Sequence, residues 1–375
     1  MMSEARCAGC CNQNTSDLLI EGENYKMTRS RFDNQIKSLI SKILNPLDQN
    51  NKPNLNAMWL SLREMENVKL NLKFSGYELA RTLAAHLPER ASTQAIKIPL
   101  YSKPSTQADM QSDWFAHWMM ELKVPIIFHR KLWEYGYVLQ SLWQLGALDA
   151  GRKGIGFGCG AEPMPSLLAS YGVDTLVTDL AAEAQMDAGW TGTNQHTHSL
   201  DAVYHGHLVD RETFGKHVSL EYVDMRDINP ALKDYDFCWS ICALEHLGTI
   251  KAGLDFVEAS LATLKPGGIA VHTTEFSYLS DGATIDNWPT VLFQRQHFTM
   301  LAERLAAKGH KLAPLDFNVG QMPMDLFIDM PPYKGDWTEY QTQIYPAPAH
   351  LKLSIDGFAS TCFGLTIQKN PEGGP

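Results

Sequence analysis

The chain has 375 residues, of which 44% are hydrophobic and 20% are charged, and its formal net charge is −10. This size and composition are typical of a soluble globular protein with one large domain or two ordinary ones. The acidic balance argues against a nucleic-acid partner, and because no run of about 18 apolar residues occurs, we expect no membrane-spanning helix. The N-terminus lacks the apolar segment of a secretion signal, so the expected location is cytoplasmic.

The first part of the chain predicts a tail followed by helices. Residues 1–26 are polar and predict a flexible tail. Cys7, Cys10 and Cys11 lie in this tail, but no second Cys-x-x-Cys pair completes a zinc site, and we expect reduced thiols. Residues 27–148 predict an N-terminal helical region. Its apolar spacing favours helices over 28–44, 77–86, 113–120 and 128–140, with a loop over 99–111.

The helices predicted over 113–120 and 128–140 are rich in aromatic residues. Their rings either pack the helices onto a sheet or form part of a lid over a bound nucleoside. The sequence leaves both interpretations open, since one helix can do both.

Alternating glycines mark the central feature of the chain. Gly156, Gly158 and Gly160 remove Cβ atoms where a strand turns into a helix, so that a ligand can approach the backbone. A second apolar run ends at Asp179, where a carboxylate can accept hydrogen bonds from ribose hydroxyls. The pattern predicts a strand–helix–strand unit for a ribose-containing ligand, with its elements over 153–158, 163–171 and 174–178.

The polar interval 181–216 contains two His-x-His pairs, His196 with His198 and His205 with His207. These pairs suggest a metal site, but no cysteine or dense carboxylate cluster accompanies them. We therefore expect a helix and a loop that border the ligand.

The rest of the chain alternates strands with helices, which predicts a parallel sheet covered on both faces. Strands are predicted over 218–224, 235–241, 269–275, 311–316 and 358–367, and helices over 250–264 and 294–308. Residues 322–350 form a long insertion rich in proline and aromatic residues. Such insertions are commonly functional, so this one is the first candidate for selecting the substrate.

The order of these motifs resembles that of class I S-adenosylmethionine (SAM)-dependent methyltransferases. The matching motifs are the glycine loop, Asp179, Asp224, Tyr235-Asp236-Phe237, Leu244-Glu245-His246-Leu247 and Leu264-Lys265-Pro266-Gly267-Gly268. The resemblance covers about residues 150–320 and continues to the last strand. It implies an α/β fold with a seven-stranded, doubly wound, Rossmann-like methyltransferase sheet over 149–375, an N-terminal helical extension and SAM as the cofactor.

The resemblance also implies roles for individual residues. Gly156, Phe157, Gly158 and Gly160 would contact the methionyl part of SAM, and Asp179 would hold its ribose. Asp224 and Met225 would contact the adenine, and Ser240 and Ile241 would line the floor near the sulfonium. The acidic residue that the family often has two positions before the first glycine is absent, and Glu162 is the candidate to replace it. Residues 129–134 ahead of the glycine loop are similar to little-characterised bacterial methyltransferases acting on small molecules or glycans.

The methyl group of a sulfonium is electrophilic, and an acceptor hydroxyl needs a base to remove its proton. His246 is the first candidate, because it follows the fourth strand at the end of the sheet where the cofactor would lie. His272 and Glu275 are the next candidates. The Glu245-His246 pair is similar to that of ubiquinone-pathway O-methyltransferases, where such a pair can help to bind a divalent cation. It can equally be a structural element, and we assign no metal site.

We therefore expect a SAM-dependent methyltransferase that acts on a hydroxyl, or less favourably an amine, of a small molecule or glycan. Two alternatives remain. One is a nicotinamide-dependent oxidoreductase, which the missing third glycine of a dinucleotide motif disfavours. The other is a non-catalytic protein that binds SAM.

Overall fold

The computed structural model describes residues 55–89, 93–180, 199–345 and 347–372, together with residues 34, 37 and 52. Contacts divide the chain into two units, Met1–Asn71 and Leu72–Pro375. The predicted tail over 1–26, nearly all of the helix predicted over 28–44, and His196 with His198 lie outside the described residues. None of the described helices is long and apolar enough to cross a membrane.

The second unit contains a mixed sheet. Its strands are β1 (Lys103–Pro104), β2 (Lys153–Phe157), β3 (Asp174–Asp179), β4 (Val218–Tyr222), β5 (Tyr235–Ile241), β6 (Leu264–Ser277), β7 (Lys311–Leu312), β8 (Ile328–Asp329), β9 (Lys352–Ile355) and β10 (Phe358–Gln368). Their order in space is β4-β3-β2-β5-β6-β10-β9-β8, and β1 and β7 also pair with β10.

Strands β2 to β6 are parallel, and the chain crosses from β4 to β5 over the middle of the sheet. This order reverses direction between β2 and β5, as in doubly wound folds. β10 runs antiparallel to β6, with Cys362 opposite Glu275. The predicted doubly wound α/β sheet is confirmed. The strand predicted over 311–316 shortens to β7, and the predicted loop over 99–111 contains β1 and a short helix.

The described part of the chain also contains α-helices with defined bounds. They are α1 (Leu55–Ala85), α2 (Gln107–Met110), α3 (Asp113–Glu121), α4 (Arg130–Gln144), α5 (Met164–Ser170), α6 (Arg211–His217), α7 (Ile250–Ser260), α8 (Arg295–Ala307), α9 (Pro323–Leu326) and α10 (Glu339–Ile344). Side-chain caps fix several helix starts: Ser112 accepts from the Phe115 N–H at α3, and Thr249 accepts from the Ala252 N–H at α7.

Two hydrophobic clusters, on opposite faces of the sheet, form the core. Trp118 of α3 and Trp133 of α4 pack with Trp239 of β5 in one cluster, whereas Phe256 of α7 and Leu301 of α8 belong to the other. The aromatic residues of α3 and α4 therefore pack the helices together and against the sheet. The boundary between the two units falls inside the predicted helical region 27–148, whose later helices belong to the second unit.

The insertion over 322–350 contains α9, β8 and α10. β8 pairs in parallel with β9, and β9 pairs with β10 next to the carboxyl end of β6. The insertion thus extends the sheet by one strand, and it places Asp329 and His350 near the end of the sheet where doubly wound folds bind ligands.

Candidate functional site

The turn after β2 requires glycine at two positions. Gly158 has φ +61° and Gly160 has φ +53°, in the left-handed region that glycine adopts without strain. A Cβ atom on Gly158 would lie 2.8 Å from Cβ of Ala243 and 3.5 Å from Sδ of Met225. The backbone at Gly158 therefore approaches the segments that follow β4 and β5 so closely that a side chain does not fit.

Asp179 ends β3 beside this turn, and 5% of its surface is exposed. One carboxylate oxygen accepts from the Leu180 N–H at 2.8 Å, and the other accepts from the Gly160 N–H at 3.3 Å. The carboxylate is thus directed at the glycine turn.

Gly156 lacks a side chain for a structural reason that the sequence did not reveal. Gly156 pairs with Trp239 across β2 and β5, and its Cβ would lie 2.3 Å from the Trp239 ring and 2.4 Å from Sγ of Cys159. Gly154 relates to the Phe237 ring in the same way, with 2.4 Å. These two glycines make room for stacked aromatic rings of the core. The Trp239 ring occupies the space that a side chain on Gly156 would need.

Glu162 is buried beside the same tryptophan. Its carboxylate accepts a hydrogen bond from Nε1 of Trp239 at 3.1 Å, and 6% of the residue is exposed. Burial raises the pKa of Glu162 to about 8, with Lys131 opposing the rise and the charges of Glu134 and Asp179 adding to it. A carboxyl group in this state becomes charged when a cation arrives beside it.

Asp224, like Glu162, has a hydrogen-bond partner within the chain. Its carboxylate accepts two or more hydrogen bonds from the Arg226 guanidinium and one from the Arg226 N–H at 2.8 Å. These contacts lower the pKa of Asp224, so that the carboxylate is ionised. Met225 is 8% exposed and lies beside Gly158.

A group of buried carboxylates lies at the carboxyl ends of β5 and β6. This carboxylate cluster consists of Glu134, Glu245 and Glu275, whose surfaces are at most 3% exposed. Sγ of Cys242 donates to Glu134 at 2.8 Å, Thr274 Oγ1 donates to Glu245 at 3.0 Å, and Ser360 Oγ donates to Glu275 at 2.8 Å. Arg130 forms an ion pair with Glu275, and Lys131 Nζ lies 3.6 Å from Glu134.

Two features of this cluster bear on its chemistry. Among the described residues, one oxygen each of Glu134 and Glu245 is buried without a hydrogen-bond donor. The potential ligand atoms of Cys242, Glu245 and Glu275 lie within 4.8 Å of one another. Because Glu275 already holds Arg130 and Ser360, its carboxylate is a poor candidate for the base that the sequence suggested.

His272, which the sequence suggested as a base, lies in the core. His272 is completely buried, and its ring nitrogens contact Ser240 Oγ at 2.8 Å and Ser260 Oγ at 3.1 Å. Burial lowers its pKa to about 3. His272 belongs to the core beneath α7, and the Ser240 hydroxyl faces it. Ile241 is 3% exposed.

His246 lies in a single helical turn after β5 and is partly exposed. Its Nδ1 lies 3.0 Å from the Pro289 carbonyl oxygen and 3.2 Å from Thr290 Oγ1. The role of His246 as a base stays a prediction.

Sequence reasoning missed Arg130, Glu134, Asp329 and His350. Glu134 offered one signal, because it is a carboxylate within an apolar, aromatic helix whose other inward positions are Trp133 and Tyr137. A buried acid in such a helix needs polar partners, which the sequence could not identify.

Comparisons with known proteins give similarity of fold. No protein-family profile matches the chain, and no curated protein matches it. A putative sarcosine dimethylglycine methyltransferase from Galdieria sulphuraria is 14% identical, with 64% of this chain and 88% of that chain covered and a TM-score of 0.35. A putative SAM-dependent methyltransferase from Listeria monocytogenes is 14% identical over 64% and 98% of the two chains, with a TM-score of 0.35.

A third similar structure is phosphoethanolamine N-methyltransferase 2 of Haemonchus contortus in complex with SAM. It is 13% identical, with 62% of this chain and 52% of that chain covered and a TM-score of 0.35. At these scores and identities the similarities decide neither the substrate nor the reaction of this chain.

Proposed function

We propose that this chain is a SAM-dependent methyltransferase that transfers the methyl group to a hydroxyl of a small molecule or glycan. The observation that carries the proposal is the Asp179 carboxylate, which is directed at the glycine turn on the carboxyl edge of β2 and β3. That edge, at the point where strand order reverses, is where doubly wound folds bind nucleoside ligands.

The residues around this turn fit the cofactor. The absence of a Cβ at Gly158 lets the backbone approach Ala243 and Met225 closely, and the Asp179 carboxylate would accept hydrogen bonds from the ribose hydroxyls. Glu162 is a buried carboxyl group. An ammonium group of a ligand, such as the one at the methionyl end of SAM, would stabilise its charged form. Met225 would contact the adenine. When bound, SAM supplies an electrophilic methyl group.

The other contributions to the reaction come from residues of the chain itself. Methyl transfer is an in-line displacement, and holding the acceptor oxygen in position can supply most of the rate enhancement. The segments that end β5 and β6 place buried, hydrogen-bonded groups at the same edge. The insertion over 322–350 joins this edge through β9, which supports its role in holding the acceptor.

Binding of S-adenosylhomocysteine (SAH), measured by calorimetry, tests the proposal. We expect Asp179→Asn to lose charge-assisted hydrogen bonds of about 1.5–3 kcal/mol, which weakens binding roughly 10- to 150-fold. Asp174→Asn is the matched control, because Asp174 begins the same strand at its other end and contacts His217 at the surface. The control should bind SAH as the unaltered chain does.

A titration with NADH separates the oxidoreductase alternative, which would also use Asp179 for a ribose. Tighter binding of NADH than of SAH contradicts the proposal. Transfer of label from radioactive SAM to methyl glycosides, phenols or primary amines then distinguishes an enzyme from a protein that only binds SAM, and the product identifies the methylated atom.

A further inference from the structure

A buried polar network joins the insertion to the rest of the second unit. Asp329 at the end of β8 is completely buried, and its carboxylate forms an ion pair with Lys73. It also accepts from the Tyr77 hydroxyl at 2.7 Å and the Met330 N–H at 2.9 Å, and Nδ1 of His350 lies 2.7 Å away. Because Lys73 balances the charge of Asp329, His350 is not needed as a second cation.

The contact with Asp329 fixes the tautomer of His350. Burial raises the pKa of Asp329, but the hydrogen bond from His350 and the contact with Lys73 lower it overall, so the group is an ionised acceptor. Nδ1 of His350 therefore carries the proton and donates it. Burial lowers the pKa of His350, and its contact with Asp329 does not reverse that direction. The ring is neutral near pH 7, and its second nitrogen, Nε2, holds a lone pair.

Nε2 of His350 has no hydrogen-bond partner within the part of the chain that the structure describes. Among the described residues, Nε2 of His350 is not one of the atoms that are both fully buried and without a partner. His350 keeps 6% of its surface exposed. A lone pair that is neither satisfied nor fully enclosed is available to a ligand.

The ring of His129 lies beside the ring of His350 and has the opposite tautomer. Its Nδ1 accepts from the Lys131 N–H at 3.1 Å as the cap of α4, so its proton is on Nε2. Burial holds the pKa of His129 well below its usual range, with His350 and Arg130 adding to the effect. The two rings lie 4.8 Å apart and 35° from parallel. Together they offer one acceptor and one donor.

A hydroxyl group matches this pair, since its oxygen accepts one hydrogen bond while its hydrogen is donated. A protonated amine has donors only, and it would leave Nε2–H of His129 without an acceptor. The pair therefore favours a neutral hydroxyl over an ammonium.

The histidine pair lies at the carboxyl edge of the sheet. The Arg130 N–H donates to the His350 carbonyl at 2.9 Å, and the Arg130 side chain contacts Glu275 at the end of β6. β9 follows His350, and its residue Leu353 pairs with Ser360, whose hydroxyl also donates to Glu275. His350 is thus connected by two routes to the ends of β5 and β6, where the proposed function needs an acceptor.

We propose that His350, positioned by Asp329, is the base for the acceptor hydroxyl and that His129 donates a hydrogen bond to the same oxygen. The inference rests on the proposed function as a hydroxyl methyltransferase. As the hydroxyl oxygen forms its bond to the methyl carbon, Nε2 of His350 takes the hydroxyl proton, and the electron pair of the broken carbon–sulfur bond stays on sulfur. The imidazolium that forms is stabilised by Asp329, which keeps its own charge.

The accessibility of His350 can be tested without cofactor or acceptor. Diethyl pyrocarbonate acylates unprotonated imidazole nitrogens, and mass spectrometry of the full chain locates the product. We expect acylation of His350 at pH 7.5, because its ring is neutral there and Nε2 holds the lone pair. His272 is the internal control, since it is fully buried with both ring nitrogens in contact with serine hydroxyls. If His350 is as unreactive as His272, it is a structural residue and the inference fails.

The second test measures turnover with radioactive SAM and the best acceptor among methyl glycosides and phenols. His350→Gln should lower kcat about 10²- to 10⁴-fold, with the affinity for SAH unchanged. His217→Gln is the matched control, because His217 makes a similar contact with Asp174, at 2.9 Å, at the opposite end of the sheet. The variant His246→Gln tests, for comparison, the base that the sequence suggested. A large loss in His246→Gln with less than about a threefold loss in His350→Gln overturns the inference.

The pH profile distinguishes a base from a residue that only supports the fold. The charged and titratable groups around His350 are Asp329, Lys73, Arg130, His129 and Tyr333. With the pKa of His350 held below its usual value, turnover should be nearly flat above about pH 7.5. In His350→Gln, the remaining rate should rise with pH, because the hydroxyl must then lose its proton to solvent. An unchanged flat profile in the variant contradicts the role as base, whereas absence of SAH binding in the unaltered chain contradicts the proposed function instead.

Discussion

Replacing Gly156 by alanine tests whether this glycine serves the core. The structure places the missing side chain against the Trp239 ring and Sγ of Cys159, at 2.3 and 2.4 Å. Both neighbours are enclosed, since Trp239 is completely buried and Cys159 is 1% exposed. Neither can swing into solvent, so the added methyl group must displace packed atoms on two sides.

The expected magnitude follows from these contacts. Ordinary van der Waals contact begins near 3.4 Å, so the ring and the sulfur must each retreat by about 1 Å. Overpacking of this kind costs about 1–3 kcal/mol, and two rigid neighbours favour the upper end. Replacing glycine also lowers the entropy of the unfolded chain, which stabilises the folded state by about 0.4–1 kcal/mol. The net loss should be about 2 kcal/mol.

Urea denaturation of the full chain, followed by far-UV circular dichroism, measures this loss. Gly215→Ala is the control, because a Cβ on Gly215 in α6 meets nothing within 4 Å, and alanine favours a helix by up to about 1 kcal/mol. The two substitutions should therefore shift the unfolding midpoint in opposite directions.

A double-mutant cycle identifies the neighbour responsible. Trp239→Leu alone leaves a cavity, but it also removes the ring that the alanine would strike. Combined with Gly156→Ala, it should show a coupling of about 1–2 kcal/mol in favour of the double variant. If Gly156→Ala does not reduce stability, or if the two effects simply add, the packing argument for Gly156 is wrong.

Three further predictions concern the glycine turn, Glu162 and the insertion. Gly158→Ala should weaken SAH binding at least tenfold and reduce stability by about 1–2 kcal/mol, because it adds a clash to a positive φ. Gly146→Ala, with φ +75° and no neighbour within 4 Å, measures the effect of the backbone conformation alone. Equal effects of the two substitutions on SAH binding would refute the clash. For Glu162, whose pKa is raised to about 8, the folded state holds a proton that the unfolded state loses above about pH 4.5, so stability falls as pH rises from 4.5 to 8. Urea midpoints of Glu162→Gln should lack that fall, which amounts to at most about 1.4 kcal/mol per pH unit; an identical slope in both proteins would contradict the buried state of Glu162. Lys73→Met should leave Asp329 buried without its cation and cost about 3–5 kcal/mol, measured in urea, whereas Lys73→Met with Asp329→Asn should recover part of the loss. Failure of the second substitution to recover any stability would show that the ion pair is not what Lys73 contributes.

The sequence predicted the sheet well because its signals are local. Apolar runs and glycines that permit a turn act within a few residues, so β2, β3 and β5 lie within one residue of where the pattern put them, whereas β6 begins at Leu264, ahead of its predicted start. Asp179 was predictable for the same reason, since a fixed spacing from the glycines places it at the neighbouring strand end. Its carboxylate does turn toward the glycine loop.

The environment of the candidate bases could not be predicted from the sequence, because residue type and position along a strand do not determine which way a side chain faces. His272 and Glu275 both lie in β6, yet one faces the core beneath α7 and the other reaches Arg130 at the edge. Side chains alternate between the two faces of a strand, so a difference of three residues reverses the environment. Which face of the strand is open could not be inferred from the sequence.

What the sequence alone determined is the order of strands and helices, the glycine turn and the acid that faces it, because backbone conformation and hydrophobic periodicity arise from neighbours along the chain. Tertiary structure decided the partners: Trp239 against Gly156 and beside Glu162, Arg130 with Glu275, and His350 between Asp329 and His129. These contacts join residues far apart in the chain, and burial sets their protonation. Whether an ionisable group is a base, a counter-charge or part of the core depends on desolvation and on the charges beside it, and packing determines both.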